Sequence, residues 1–285
     1  MIEPRRVLER STTLAAMALP EPSERSTALV TGASSGIGAA IARQLAARGH
    51  GVTLVARREE RLRRLASELG GEHGIRAEAL VADLADPAER DRLASRVDEL
   101  GLELAVLVNN AGFGSHGPFV AVERERALEM ARVNVEAVVD LTARYLPAMV
   151  ERGRGAVLLV ASTAAFQPLP GSATYAATKA FVLSFGEALH EELKGTAVTL
   201  TTVCPGPVRT EFAQVAGIGS LSDRAPDLVW MSAEDAAGHA VRALEQGRRA
   251  IVPGAINQAG SLLGRHLPRT AVLPLLRRAW GGGGR

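Results

Sequence analysis

The run Ala28-Leu29-Val30-Thr31-Gly32-Ala33-Ser34-Ser35-Gly36-Ile37-Gly38 reads in one pass as a strand, a glycine turn and the start of a helix. Its apolar opening suits a buried strand. Ile37, Ile41 and Leu45 then recur on one helical face until Gly49 closes the pattern. Three glycines let the backbone turn tightly and approach a pyrophosphate, whose charge is stabilised by the amide groups and dipole at the helix N-terminus. The stretch predicts a phosphate-binding turn; the alternative is a tight connection that binds nothing.

Working outward, apolar runs alternate with helical patterns up to about residue 253. Val52–Val55, Ala77–Ala82, Leu104–Val108, Ala156–Val160, Val198–Val203 and Ile251–Val252 read as further strands. Runs that are apolar throughout imply a parallel sheet covered on both faces. Helix starts are marked by Asp86 before Pro87 and by the capping box Ser232-Ala233-Glu234-Asp235, whose helix ends near Gly247. The expected fold is α/β, a single Rossmann-type, doubly wound parallel sheet of about seven strands in the order 3-2-1-4-5-6-7. A chain of 285 residues with 47% apolar content can bury the core this needs. No internal repeat or linker interrupts it.

Charge and cysteine content exclude more than they assign. A formal net charge of +2, with Arg and Glu interspersed along stretches such as Arg57–Leu69, describes solvated faces and argues against a nucleic-acid partner. The single Cys204 cannot form an intramolecular disulfide, which fits a cytoplasmic protein, and its place before Pro205 suits an inert packed thiol. No stretch has the length of a membrane span. No histidine spacing suggests a metal site. Residues 1–25 contain a short apolar run interrupted by Pro20 and read as a flexible extension, with Met17 as an alternative start.

The chemistry gathers around Tyr175 and Lys179. The chain has two tyrosines, and only two of its 33 Lys and Arg residues are lysines, yet one of each stands four positions apart. On a helix both side chains share a face, and an ammonium close to a phenol stabilises phenolate and lowers its pKa from about 10. Tyr175 would then exchange protons near neutral pH. Ser162 follows the run Val157–Ala161, at the carboxyl end of a strand, where its hydroxyl can bond a carbonyl as negative charge develops. Each residue has a plainer reading: Ser162 as a cap, Asn134 as a polar break in a helix, Tyr175 as a half-buried aromatic.

These residues together resemble the classical short-chain dehydrogenases/reductases, over nearly all of residues 27–253. After the glycine loop come Asp83-Leu84, the acidic position placed near adenine; Asn109-Asn110-Ala111-Gly112; Asn134, Ser162, Tyr175 and Lys179, matching the family's catalytic tetrad; and Pro205-Gly206-Pro207-Val208-Arg209-Thr210. The resemblance implies an oxidoreductase with Tyr175 as general acid/base, Lys179 on the nicotinamide ribose, and Asn134 holding a relay water. Its cofactor contacts would be Gly32, Ser34, Ser35, Gly36, Ile37, Gly38, Arg57, Arg58, Asp83, Leu84, Asn110, Ala111, Gly112, Tyr175, Lys179, Pro205, Gly206, Val208 and Thr210. It also implies a homodimer or homotetramer. The helices of Val120–Val150 and Ala173–Leu193 would pair, because Ala176, Ala177, Ala180, Val182, Phe185 and Ala188 spread small and apolar groups widely around the second.

Ala56 stands at the end of the second strand, where an NAD enzyme carries an acid for the ribose 2′-hydroxyl. Arg57 follows and can clamp a 2′-phosphate, with Arg58 or Arg61 beside it, so NADP(H) is expected rather than NAD(H). Ser35 departs from the pattern, since many NADP-dependent members carry a second basic residue there. In the expected catalytic domain, residues 26–255, the segment 207–231 sets specificity. Phe212, Val215, Ile218, Leu221, Leu228, Val229, Trp230 and Met231 would form its apolar lid, over an apolar carbonyl or secondary alcohol. His116 either lines the entrance or is a solvated loop residue. Residues 256–285 form an apolar and basic extension in which Pro268 and Pro274 should break any long helix, before a mobile Gly281–Gly284 end. That extension could cover the pocket, contact a subunit or touch a membrane surface. Three readings follow: a carbonyl reductase, a quiet dinucleotide-binding regulator, or a peripheral-membrane lipid or 3-oxoacyl reductase.

Overall fold

The computed structural model describes residues 19–217 and 227–280. Seven strands, β1 (Ser26–Thr31), β2 (Gly51–Ala56), β3 (Ala77–Val81), β4 (Glu103–Asn109), β5 (Gly155–Val160), β6 (Val198–Val203) and β7 (Ala250–Ile251), form one sheet in the order β3-β2-β1-β4-β5-β6-β7. Every pairing is parallel. Both β1 and β5 are buried along their whole length, so neither alternates polar and apolar residues: β5 carries no polar side chain, and the Ser26, Thr27 and Thr31 hydroxyls of β1 are hydrogen-bonded.

Alternate residues feed two cores. Ala28 and Val30 of β1 and Leu158 of β5 pack under α1 (Gly36–Ala46), α2 (Glu59–His73) and α8 (Ala233–Glu245), through Ile41, Leu45, Leu62, Val241 and Leu244. Leu29, Val157 and Leu159 face the opposite layer of α3 (Pro87–Glu99), α5 (Ala137–Arg152) and α6 (Ala173–Glu192), meeting Leu93, Leu141 and Val182. The smaller helices are α4 (Arg124–Ala131), α7 (Phe212–Val215), α9 (Ala255–His266) and α10 (Arg269–Trp280).

The local signals act as read. Asp86 accepts the Ala88 amide at 2.9 Å ahead of Pro87, and Ser232 accepts the Asp235 amide at 3.0 Å while donating to its carboxylate at 2.7 Å. One reading fails: Pro268 does separate α9 from α10, but Pro274 lies inside α10. The position is exposed, so water can take the carbonyl of Thr270 that the proline leaves without its helical donor. In the described part of the N-terminal segment, Leu19 is buried in the first core. Gly281–Gly284 lie outside the described residues.

Helix α6 reaches its sheet through Gly186. A Cβ there would fall on the Thr202 hydroxyl and within 2.9 Å of Leu159. Gly186→Ala should therefore lower stability by about 1–3 kcal/mol through overpacking, despite alanine's better helix propensity. Urea unfolding checks this, and an unchanged midpoint would mean that the helix can step back without cost.

Candidate active site

A single cavity of about 970 Å³ opens along the carboxyl ends of the strands. The glycine loop forms one side. Gly32 (φ +68°) and Gly36 (φ +58°) take left-handed backbone, and a Cβ on Gly38 would meet Asn110 Nδ2 and, at 2.5 Å, the Gly32 carbonyl. Thr31 ties this loop to the turn after β4. Its hydroxyl donates to the Val108 carbonyl at 3.1 Å and accepts the amides of Asn110 and Ala111, each at 3.0 Å. Asn110 Nδ2 returns a bond to the Thr31 carbonyl at 2.8 Å.

Of the expected cofactor contacts, all but Gly38 line this cavity; Gly38 stands behind the wall. Ser162, Tyr175 and Lys179 line it as well, further along. Ser162 caps the turn Thr163–Phe166 by accepting the Ala164 amide at 3.1 Å, so the plainer reading is true of it. The same hydroxyl also shares a hydrogen bond with the Tyr175 phenol. Asn134 is fully buried in a π-helical turn, Arg132–Glu136, between α4 and α5. Its carboxamide donates to the Phe113 carbonyl and to Thr178, both at 3.0 Å, and accepts the Phe113 amide at 3.1 Å. It thus staples the turn after β4 to α6. A Cβ on Gly112 would lie 3.0 Å from Asn134 Oδ1 and 3.4 Å from Lys179 Nζ, so both polar groups crowd the one residue that leaves them room.

The electrostatics differ from the sequence reading. Lys179 donates to the Val160 carbonyl at 2.8 Å, and its Nζ lies 6.0 Å from the centre of the Tyr175 ring. Without a nearby ammonium bonded to it, the phenol is governed by desolvation, which pushes it up to about 12 against the opposing pull of Ser162. Burial brings Lys179 down to about 8. Tyr175 is therefore held protonated, and Lys179 is the group near its titration point. Cys204 is buried and pushed up to about 12, an inert thiol as expected.

At the other end, Arg57 pairs with Glu129 at 3.2 Å and Asp83 at 3.8 Å. Arg58 turns onto the glycine loop, donating to Ser34 Oγ at 2.9 and 3.0 Å and to Ser35 Oγ at 2.6 Å. Its guanidinium thus stands over Ser35, the position where a basic residue was missing. Glu211, not anticipated from the sequence, accepts from Arg58 and from Arg61, both at 2.7 Å. The two guanidinium groups hold its carboxyl down at about 2. Only its place next to Thr210 could have signalled it.

The remaining wall is apolar. Phe113, Leu169, Phe212, Val215, Val229, Trp230 and Ile256 line it, and the Phe212 ring lies 5.4 Å from that of Tyr175. Asn257, Gly260 and Ser261 of α9 close one edge, in line with the reading of the C-terminal extension as pocket cover. Leu228 is exposed, Met231 pairs by its backbone with Val208, and Ile218 and Leu221 lie outside the described residues. His116 does not line the cavity; its Nδ1 lies 3.4 Å from Ser172 Oγ.

Known proteins share this arrangement. The family profile for short chain dehydrogenase matches residues 26–218. A very-long-chain 3-oxoacyl-CoA reductase of Anas platyrhynchos is 36% identical over 194 residues, 66% of this chain and 62% of the relative, so the match spans less than two thirds of that protein. A solved short-chain dehydrogenase from Sphingobium yanoikuyae in complex with NADPH superposes with a TM-score of 0.75 at 33% identity, covering 91% of this chain and 96% of the other. A variant of actinorhodin polyketide ketoreductase solved with NADPH gives a TM-score of 0.71 at 31% identity, covering 82% and 97%. Sheet order, glycine loop, site geometry and family match agree: the chain belongs to the short-chain dehydrogenase family and is an oxidoreductase.

Proposed function

We propose that the protein is an NADPH-dependent reductase of ketones on apolar, chain-bearing substrates, with 3-oxoacyl thioesters first among them. One observation carries the reading: a single cavity joins a phosphate-binding loop crowned by Arg58 to an apolar chamber, with Tyr175, Ser162 and Lys179 between them. The residues present fit the cofactor. The glycine cradle has no room for a Cβ at Gly38, the amides opening α1 would hold a pyrophosphate, and Arg57 and Arg58 would supply the cations a 2′-phosphate needs. Two relatives named for 3-oxoacyl and polyketide substrates, and neighbours solved with NADPH, support both halves.

When bound, the nicotinamide supplies the hydride. Tyr175 gives the proton to the carbonyl oxygen, and Ser162 donates a hydrogen bond to that oxygen as charge develops. Lys179 would hold the ribose hydroxyls, and its ammonium, once released from the Val160 carbonyl, would stabilise the phenolate left behind. Asn134 is a positioning residue that holds the Phe113 turn and α6 in register. The phenol's place near 12 sets a pH dependence. Its donor form is full at neutral pH, so ketone reduction should stay level there until Lys179, brought down to about 8, loses its charge. Alcohol oxidation, which needs the scarce phenolate, should keep rising into alkaline pH. An oxidation rate already level at neutral pH would contradict this.

The localisation proposed is cytoplasmic, and the assembly a homo-oligomer. Ala177, Phe181, Ser184 and Ala188 make one exposed stripe along α6, with Phe181 40% exposed and stacked on Phe185. Pairing of this face across a two-fold axis would cover it and stiffen the helix that carries Tyr175 and Lys179. Light scattering at micromolar concentration should give a multiple of 29.9 kDa; a fully active monomer would refute the pairing. The substrate reading is tested by NADPH consumption across 3-oxoacyl thioesters, aromatic ketones, ketosteroids and small aldehydes. Strong preference for a short, charged aldehyde would overturn it.

A further inference from the structure

Helix α9 is amphipathic the wrong way round, whereas α10 keeps Val272 and Leu276 inward. An ordinary surface helix turns its leucines inward. Helix α9 instead packs on the protein through Asn257, Ser261 and Gly264: a Cβ on Gly206 would strike the Asn257 amide, and one on Gly264 would lie 2.6 Å from Gln167. Its leucines point away, with Leu262 and Leu263 each 58% exposed, and they share a face with Ala255 and Ala259 at positions i, i+4, i+7 and i+8. Leu267, at 46%, and Leu275 on α10, at 64%, extend the apolar surface.

The side-chain charge carried by these two helices has one sign. All 31 acidic residues lie at or before Glu245, so neither helix carries a carboxylate. Arg269 donates to the carbonyls of Phe166 and Gly264. Arg265, Arg277 and Arg278 are exposed and have no ion pair with a described carboxylate, although arginines elsewhere are mostly paired. Two copies meeting through this face would bring unneutralised arginines together, which disfavours self-association there. A surface with an apolar interior and negative headgroups satisfies both features at once. Neither helix is long and apolar enough to cross a bilayer.

We infer that α9 and α10 are a docking surface for an anionic lipid bilayer, with the leucines entering the headgroup boundary and Arg265, Arg277 and Arg278 facing lipid phosphates. Ile256, Gly260 and Ser261 of the same α9 line the active-site cavity, so the helix that docks is also a wall of the cavity. Docking itself does not depend on the substrate reading and is measured without substrate, so the two can fail separately.

The test is co-sedimentation of the full chain with vesicles of phosphatidylcholine alone and of phosphatidylcholine mixed with phosphatidylglycerol, at low and high salt. The protein should pellet with the mixed vesicles at low salt, weakly at high salt, and little with phosphatidylcholine alone. The double variant Leu262→Ser/Leu263→Ser should bind the mixed vesicles at least about tenfold more weakly. Both leucines are exposed, so retained NADPH binding and circular dichroism will show that the variant is folded. No pelleting with anionic vesicles, equal pelleting of the variant, or an oligomer that the two substitutions dissolve would overturn the inference.

Discussion

Tyr175→Phe should abolish turnover, to below a few per cent of the parent, while NADPH still binds nearly as tightly. The substitution keeps the ring that packs 5.4 Å from Phe212 and removes only the hydroxyl that shares a hydrogen bond with Ser162. With the phenol held near 12, that hydroxyl is a proton donor at neutral pH. Ser162→Ala should cost less, about 10²–10³-fold, the scale of one transition-state hydrogen bond. Steady-state rates and NADPH fluorescence titration read the two effects separately. A Tyr175→Phe protein with substantial activity would remove Tyr175 from the proposed role.

Arg58→Ala should weaken NADPH by roughly 10- to 150-fold, the loss of a charge-assisted contact of about 1.5–3 kcal/mol, and leave NADH nearly unchanged. Arg58 is chosen over Arg57 because it already bridges Ser34 and Ser35 at the mouth of the glycine loop, whereas Arg57 is engaged by Glu129 and Asp83. Glu211 sharpens the test. Its carboxylate occupies Arg58 and Arg61 as an internal anion where a 2′-phosphate would compete, so Glu211→Gln should tighten NADPH without moving NADH. Equal losses for both cofactors in Arg58→Ala would mean that this guanidinium does not read the phosphate.

Most of the fold was legible because each signal was local. Strands buried on both faces are continuous apolar runs, the glycine turn needs its glycines, and Asp86, Pro87 and Ser232 announce helix starts within a few residues. The site residues were legible for a different reason: the parallel sheet gathers the ends of β1, β2, β4, β5 and β6, so motifs far apart in sequence converge. What escaped depends on side-chain direction. Nothing in the sequence says that Lys179 turns to Val160, that Arg58 rather than Arg57 faces the loop, or that Glu211 reaches across to α2. Nor does the leucine pattern of α9 reveal which face packs inward. The failure at Pro274 has the same origin, since a proline's cost depends on whether water can satisfy the carbonyl it strands.

The central claim is that this cavity delivers reducing equivalents from NADPH to a ketone carbon under the control of Tyr175. Turnover of a 3-oxoacyl thioester with NADPH deuterated at the transferable position of the nicotinamide tests it most directly, with the product read by mass spectrometry and NMR. Deuterium should appear at the carbon that bore the carbonyl, on one face only, in the parent protein and not in Tyr175→Phe. Product without deuterium at that carbon, or label transferred equally well by the Tyr175→Phe protein, would contradict the account.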